Sequence, residues 1–329
     1  MSRYQISWVA WEGERICRLR DLETNTEVDV APHFGMNLIR YSFMGKDVIL
    51  QPPSMAMLRE KPFRYGIPIL SPPGLTSYGR FTYRGQCYQL PITVGEHNVH
   101  GEIGTLPWQV RDFGIDDLRG AFLQASYSYR NDPQRYAYFP FDLEYNVSYR
   151  VGEGKVSLEG TVRNLGNHDA PFSLGYHPYF VCDREHTTLQ MPARAQWNLE
   201  RADAIIQDTP LSAAFRQGMK LAEVTGNLHV FQCAELGSER NTAYPCTLED
   251  TKNNRRIRYH VLEPFSIIVF FEPSWGEAIS LEPYSCIPDA LNPSMRERET
   301  GMLELAPGEA RRFGWHIEVD HTLYKKGVD

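Results

Sequence analysis

The chain has 329 residues, 42% hydrophobic and 23% charged, which is the composition of a globular protein that can bury a core without disulfides or metals. Its net charge of −7 argues against non-specific nucleic-acid binding, which needs basic patches. Without an apolar leader, a run of about 18 apolar residues or a C-x-x-C pair, the sequence predicts a cytoplasmic protein with reduced thiols and no contact with a membrane.

Alternation of apolar and polar residues begins near the N-terminus and is typical of strands with one buried face. It is seen at 4–8 and at 36–43, and a short helical pattern follows at 54–59. Two alternating runs, 81–83 and 88–90, flank a glycine-containing turn and predict a β-hairpin.

The clearest alternation lies in the middle of the chain. It covers 141–151 and resumes at 156–162 after a Gly-Glu-Gly turn, which predicts another hairpin. One more helical turn is predicted at 213–217, a strand buried on both faces at 266–271, and a third hairpin at 303–319. We therefore predict an all-β protein, with two or more packed antiparallel sheets in a single domain of all 329 residues and few short helices.

Three segments combine titratable side chains with glycine, proline and aromatic residues, a composition typical of loops and strand ends that present functional groups. The middle one holds His177, whose imidazole can give or take a proton near neutral pH. The last holds Glu282, just after a predicted strand at 278–281. In a partly buried cleft this carboxylate would have a raised pKa and could act as a general base. The competing interpretations are a structural histidine and a carboxylate in a salt bridge.

The first of these segments holds His97 and His100. Their spacing suits metal ligation on a helix, but their neighbours are typical of a loop or strand, so we predict no metal site. His100 precedes Gly101, which indicates a turn where the backbone approaches another group closely. The sequence contains neither a Gly-x-Ser-x-Gly elbow nor a glycine-rich phosphate loop. A glycosidase would need a second carboxylate, for which Glu263, Glu272 and Asp289 stay open.

Taken in order, the three segments resemble the aldose 1-epimerase (galactose mutarotase-like) family. The matching motifs are His100-Gly101, His177-Pro178-Tyr179-Phe180, Leu281-Glu282-Pro283 and Pro288-Asp289-Ala290-Leu291-Asn292. The resemblance implies a large antiparallel β-sandwich, the galactose mutarotase-like supersandwich, with an open cleft across one sheet. It also implies an isomerase that interconverts the α and β anomers of a free aldose without a cofactor.

The resemblance also implies roles for three residues. Glu282 would be the base that takes the proton from O1, and His177 the acid that protonates the ring oxygen O5. His100 would contact the sugar. We expect the acid and the base on opposite sides of a gap about one pyranose wide. The family's sugar-binding arginine is not matched, because Pro73-Gly74-Leu75-Thr76-Ser77-Tyr78 occupies its place and Arg80 does not align with it.

Other residues near the motifs are candidates for contacts with a sugar, because polar groups bind hydroxyls and aromatic faces stack on the C–H face of a pyranose. They are Arg80, His97, Trp108, Tyr179, His229, Trp275 and Tyr284. The predicted partner is a small-molecule sugar, and the protein is expected to be a monomer or a homodimer. Non-catalytic sugar binding or sensing, a phosphosugar epimerase and a glycan lyase or hydrolase stay open as alternative functions.

Overall fold

The structure, a computed structural model, describes residues 2–198, 205–233, 245–292 and 300–321. The strands of the first half are β1 (Tyr4–Trp11), β2 (Glu14–Asp21), β3 (Thr26–Ala31), β4 (Asn37–Phe43), β5 (Lys46–Asp47), β6 (Ile69–Leu70), β7 (Leu75–Thr76), β8 (Arg80–Tyr83), β9 (Gln86–Gln89), β10 (Asn98–Val99), β11 (Gln109–Asp116), β12 (Gly120–Ser128), β13 (Leu143–Gly152) and β14 (Lys155–Asn164). Those of the second half are β15 (Ala170–Phe172), β16 (Gly175–Tyr176), β17 (Tyr179–Val181), β18 (Thr187–Gln190), β19 (Ala195–Trp197), β20 (Ile205–Gln207), β21 (Met219–Lys220), β22 (Leu228–Gln232), β23 (Pro245–Asp250), β24 (Arg255–Val261), β25 (Ile267–Phe271), β26 (Ala278–Tyr284), β27 (Leu303–Leu305) and β28 (Ala310–Asp320).

The α-helices of the described residues are short. They are α1 (Met55–Glu60), α2 (Pro133–Tyr136) and α3 (Pro210–Gln217). Side-chain caps start α1 at Ser54 and α3 at Thr209, each accepting a hydrogen bond from a backbone N–H in the first turn. The predictions of short helices at 54–59 and 213–217 are confirmed. Within the described part of the chain, every helix is too short or too polar to cross a bilayer.

Three sheets contain most of the strands, and their pairings are antiparallel. An N-terminal sheet has the order β1-β2-β3-β4-β5. A nine-stranded sheet has the order β11-β12-β13-β14-β28-β24-β23-β18-β21. An eight-stranded sheet has the order β20-β19-β22-β25-β26-β16-β6, and β17 also pairs with β26. The predicted all-β fold is confirmed, and so are the hairpins β8–β9 and β13–β14. The hairpin predicted at 303–319 is wrong, because β27 pairs with β15 while β28 pairs with β14 and β24.

The main core lies between the nine-stranded and the eight-stranded sheets. Side chains from one sheet contact those of the other: the rings of Tyr176 and Trp315 are 6.1 Å apart, and those of Phe180 and Tyr259 are 5.3 Å apart. The strict alternation in β13 places its apolar residues in this core. The two large sheets therefore form the sandwich that the alternation predicted.

Alternate residues of strand β26 point to opposite faces of the sheet. Ile279 and Leu281 point into the main core, and the alternate residues Ser280, Glu282 and Tyr284 therefore point to the opposite face of the sheet. Glu282 lies inside this strand, which continues to Tyr284, so the prediction that it follows the strand end is wrong. Glu282 still lines a cleft, because the face of the sheet that points away from the main core is open.

Candidate active site

A cleft of about 620 Å³ lies on the face of the eight-stranded sheet that points away from the main core. Its volume is in the range of sites for small molecules. His100, His177 and Glu282 line it, although each is mostly buried: the exposed fractions are 5% for His177 and 3% for Glu282. The structure therefore brings together the three residues that the sequence motifs singled out.

The imidazole of His177 directly contacts the carboxylate of Glu282, with 3.3 Å between Nε2 and Oε1. The contact follows from the topology, because β16 and β17, on either side of His177, both pair with β26. The expectation that a gap of one pyranose separates the two groups is therefore wrong. Acid and base form one adjacent pair at the surface of the cleft.

Ser280 fixes the orientation of the His177 ring. Its hydroxyl donates to the backbone carbonyl of Pro178 at 2.8 Å and lies 2.8 Å from Nδ1 of His177. Since the single hydroxyl proton is directed to Pro178, the lone pair of the oxygen faces Nδ1, which must carry a proton to make the bond. This assigns the proton of a neutral His177 to Nδ1 and turns Nε2 towards Glu282. The ring also stacks on that of Tyr179, with 4.7 Å between centroids.

His100 is a neutral hydrogen-bond donor in this site. Its Nδ1 accepts the backbone N–H of Gly74 at 3.2 Å, so the ring proton lies on Nε2. Burial lowers the pKa of His100 to about 3. Its ring meets that of His177 edge to face at 5.2 Å.

The turn at His100 is held by a close backbone approach. His100 and Gly101 both have positive φ, of 68° and 62°. A Cβ on Gly101 would lie only 1.8 Å from the carbonyl oxygen of Ser71, so the position requires glycine. The predicted close approach at this turn is confirmed.

Burial sets the protonation of the His177–Glu282 pair. Removal from water raises the pKa of Glu282 to about 8, against the opposing effect of the hydrogen bond from Tyr284. Burial and the neighbouring His100 hold the pKa of His177 well below its usual value. Both effects disfavour charge, so near neutral pH the pair has no net charge and contains one acidic proton to transfer.

The same three residues could also hold a metal ion. One ligand atom from each of His100, His177 and Glu282 lies within 4.8 Å of the others. Nδ1 of each imidazole is already in a hydrogen bond, so the two Nε2 atoms and the carboxylate are the groups left to bind an ion. The absence of a metal from the reaction stays a prediction.

The remaining wall of the cleft is largely apolar and follows the strand register. Glu282 pairs with Val269, Val269 with Val230, and Val230 with Trp197, which makes one row across β26, β25, β22 and β19. Successive strands are about 4.8 Å apart, so this row extends well beyond the length of one sugar ring. Nε1 of Trp197 is buried and has no hydrogen-bond partner among the described residues.

Asp289 connects two loops at the edge of the cleft. One of its carboxylate oxygens accepts the backbone N–H of Ser77 at 2.9 Å, and the other accepts the Ser77 hydroxyl at 2.6 Å. Both residues line the cleft. The loop that replaces the family's arginine motif thus does reach the site, where it contributes Ser77 instead of a cation.

Of the seven predicted sugar contacts, only Tyr284 lines this cleft, where its hydroxyl donates to Oε2 of Glu282. Trp108 is in the main core, and its Nε1 donates to the carbonyl of Ile103. Tyr179 is buried against His177, and Trp275 packs beside Tyr179 with 36% of its surface exposed.

Three polar candidates also lie elsewhere. Arg80 is on the exposed hairpin β8–β9, bonded to Gln89, and His97 accepts the backbone N–H of Tyr78. His229 is bonded to Gln196 and to the carbonyl of Thr225. Its neighbours Leu228 and Val230 face the cleft, so alternation turns His229 to the other side of the sheet.

Sequence reasoning missed Trp197, Val230 and Val269. Each is an apolar or aromatic residue of a short strand, and nothing in the local sequence separates it from a core residue. Only the order of the strands in the sheet, which depends on long-range pairing, brings them beside Glu282.

Comparison with known proteins supports the family resemblance. The model of the aldose 1-epimerase family matches residues 22–318. The chain is 25% identical over 296 residues to the uncharacterized protein YihR of Escherichia coli (strain K12), and the alignment covers 86% of this chain and 87% of that protein.

Solved structures share the fold at low sequence identity. A galactose mutarotase-like protein from Clostridium acetobutylicum superposes with a TM-score of 0.85 at 18% identity, covering 97% of this chain and 98% of that one. The galactose 1-epimerase of Lactobacillus acidophilus NCFM superposes with a TM-score of 0.73 at 17% identity, covering 97% and 99%. These likenesses show the mutarotase-like β-sandwich.

Proposed function

Because the chain belongs to the aldose 1-epimerase family, we propose that it is an isomerase that interconverts the α and β anomers of a free aldose by acid/base ring opening. The observation that carries the proposal is the contact between Nε2 of His177 and Oε1 of Glu282 in the cleft. O1 and O5 of an aldose are bonded to the same carbon and are therefore close together. An adjacent acid/base pair fits that arrangement better than two groups separated by a ring.

Ring opening uses the pair in its ionic form. The carboxylate of Glu282 takes the proton from the O1 hydroxyl while the imidazolium of His177 gives the proton on Nε2 to O5. The C1–O5 bond breaks and C1 becomes an aldehyde. The pair is left as a carboxylic acid and a neutral imidazole, the form that burial of both groups favours.

Ring closure reverses these steps after rotation about the C1–C2 bond. His177 takes the proton from the O5 hydroxyl as O5 attacks the other face of C1, and Glu282 returns its proton to O1. The total number of protons on the enzyme is unchanged, and no redox step occurs. The His177 ring keeps one orientation during both ring opening and ring closure, because Ser280 holds its Nδ1 atom.

His100 supplies a hydrogen bond without a charge. Its Nε2–H, fixed by the bond from Gly74 to Nδ1, is directed into the site beside His177 and can donate to an oxygen of the sugar. A neutral donor leaves the proton transfer itself to His177. We therefore assign His100 to the binding of the sugar and of charge developing on O5.

The described lining supports a neutral substrate. It contains no lysine or arginine, the side chains that usually hold a phosphate, and this disfavours a phosphorylated sugar. Within this lining the other carboxylate is that of Asp289, and Ser77 occupies both of its oxygens. A glycosidase would need a second carboxylate that is available to a water molecule or a sugar. The pair of His177 and Glu282 therefore favours mutarotation over glycoside hydrolysis.

Anomer exchange measured by NMR tests the proposal. A panel of free aldoses at anomeric equilibrium should contain at least one sugar whose α/β exchange the protein accelerates. Calorimetry with the same panel identifies sugars that bind. Binding without accelerated exchange would contradict the proposal and favour a sugar-binding or sensing role, and release of reducing ends from polysaccharides would favour a lyase or hydrolase.

A further inference from the structure

A second cluster of titratable side chains lies on the nine-stranded sheet, remote from the cleft in the fold. His260 on β24 and His316 on β28 are directly opposite each other in the antiparallel register. Their neighbours Tyr259, Trp315 and Ile317 point into the main core. Alternation therefore turns the two histidines, together with Glu318, to the outer face of the sandwich.

The three side chains lie next to one another. The two imidazole rings are stacked, with 4.2 Å between centroids and 14° between planes. Nε2 of His260 is 3.7 Å from one carboxylate oxygen of Glu318, and Nε2 of His316 is 3.6 Å from the other. One ligand atom from each residue lies within 4.8 Å of the others.

These distances are close to those of a tetrahedral site. With metal–ligand bonds of about 2.0–2.1 Å, two ligand atoms on a tetrahedron are about 3.3 Å apart. The N–O distances here, each to a different oxygen of Glu318, exceed that value by a few tenths of an ångström. The stacked rings must also rotate away from their parallel arrangement to direct both Nε2 atoms at one ion. Nε2 of His260 is buried and has no hydrogen-bond partner among the described residues, so no hydrogen bond competes with a metal ion at this atom.

We propose that His260, His316 and Glu318 form a binding site for one divalent transition-metal ion such as Zn²⁺. Two imidazoles and one carboxylate are a ligand set that zinc uses in proteins. Three protein ligands on one face of a sheet leave the fourth coordination position to water or to an external ligand. Because the ligands come from two paired strands, the ion cross-links β24 and β28.

Neighbouring charges set the strength of this site. Arg258 binds Oε2 of Glu318 at 3.1 Å and also Asp320 at 2.6 Å, and Lys155 is opposite Glu318 in the sheet. Both cations oppose a metal ion by repulsion. Since Arg258 occupies Oε2, the free oxygen is Oε1, and Arg258→Ala should strengthen metal binding by releasing the whole carboxylate.

Titration with Zn²⁺ alone, followed by calorimetry and by thermal unfolding, tests the site. The experiment uses the full chain in a Cys87→Ser, Glu282→Gln background, because Cys87 is an exposed thiol and Glu282 belongs to the other cluster that could bind zinc. His260→Ala and His316→Ala should each weaken Zn²⁺ binding at least tenfold and abolish the rise in Tm. His168→Ala, which removes an exposed histidine elsewhere, is the matched control and should change neither.

The direction of the Arg258→Ala effect separates a specific site from general histidine affinity. The proposal predicts tighter binding in this variant and weaker binding in Glu318→Gln. Co²⁺ should give the strong visible absorption of a tetrahedral site in the wild type and lose it in His316→Ala. Wild-type Zn²⁺ affinity in both histidine variants, or no saturable binding to the wild type, would overturn the proposal. Neither result bears on anomer exchange, which uses the cleft.

Discussion

The hydroxyl of Tyr284 donates a hydrogen bond to Oε2 of Glu282, its neighbour two residues away on the same face of β26. The other oxygen, Oε1, faces His177. The carboxylate is thus held at one end by a phenol and presented at the other to its acid partner. The bond favours the ionised carboxylate, which partly offsets the effect of burial on its pKa.

Removal of that bond should reduce the ionised fraction of Glu282. Tyr284→Phe is expected to raise the pKa of Glu282 above its value of about 8. The rise should be on the order of one unit, because a hydrogen bond to a charged group contributes about 1.5–3 kcal/mol and one unit is about 1.4 kcal/mol. Less of the ionic pair is then available, so kcat/KM for ring opening should fall roughly tenfold near pH 7. NMR anomer exchange as a function of pH measures both effects.

Tyr149→Phe is the matched control for that variant. Tyr149 is also fully buried, but its hydroxyl has no hydrogen-bond partner within the described structure. Its removal should leave the rate and the pH profile unchanged. Equal losses in the two variants would show that the Tyr284 hydroxyl acts on stability and not on Glu282.

The pH dependence of the wild-type enzyme follows from the single acidic proton of the pair. The pair loses that proton as the pH rises through about 8, the pKa of Glu282, so kcat/KM should decline there. It gains a second proton only below the depressed pKa of His177, so activity should persist below the usual titration range of histidine. Exchange rates corrected for the uncatalysed reaction provide the profile, and a decline centred on the ordinary histidine pKa would be incompatible with it.

Protein stability should depend on pH through the same carboxyl group. The pKa of Glu282 is about 8 in the folded state, against 4.5 for a glutamate in water, so the folded state binds the proton more tightly than the unfolded chain. This contribution to stability is complete below the unfolded pKa and is lost as the pH rises through the folded pKa. Each unit of pKa difference corresponds to about 1.4 kcal/mol. Between mildly acidic and alkaline pH, the wild type should therefore lose a few kcal/mol relative to Glu282→Gln, as measured by denaturant unfolding.

Ser280 is a positioning residue, and its removal should affect turnover more than binding. Ser280→Ala frees Nδ1 of His177, so the ring loses its fixed tautomer and orientation. A fall in kcat of about 10- to 100-fold is expected, smaller than the 10²–10⁴-fold typical of losing a general acid or base, with little change in KM. Ser266→Ala removes a buried hydroxyl that has no partner in the described structure, and it should leave kcat unchanged.

The turn that carries His100 should depend on glycine at position 101. Gly101→Ala would place a Cβ 1.8 Å from the carbonyl oxygen of Ser71, in addition to the strain of a positive φ. Gly154→Ala has a comparable φ of 73° but open space around the new Cβ, so it should cost only the backbone strain of about 1–2 kcal/mol. Denaturant unfolding should show a larger loss for Gly101→Ala. Similar losses in the free energy of unfolding for the two variants would mean that the backbone at position 101 can move away from the Ser71 carbonyl.

Much of the fold and the centre of the site could be predicted from the sequence. Period-2 alternation in β13 identified strands, and His177 and Glu282 stood out because titratable groups beside proline interrupt apolar segments. The cleft wall formed by Val269, Val230 and Trp197 could not be predicted. These residues lie in one row with Glu282 only because of the order of four strands in the sheet. The error at His229 has a similar cause. A residue that lies near a motif in the sequence can point to either face of the sheet. A shift of one residue along a strand moves the side chain from one face to the other.

The proposed function depends above all on His177 and Glu282 acting together as one acid/base pair. The decisive measurement is anomer exchange by the wild type, Glu282→Gln, His177→Gln and the double variant, at saturating concentrations of an accelerated sugar whose binding to each protein is verified by calorimetry. Each single variant should lose about 10²–10⁴-fold in rate, and the double variant little more than either, because the two residues act as a unit. Near-wild-type exchange in either single variant that still binds the sugar would contradict this mechanism.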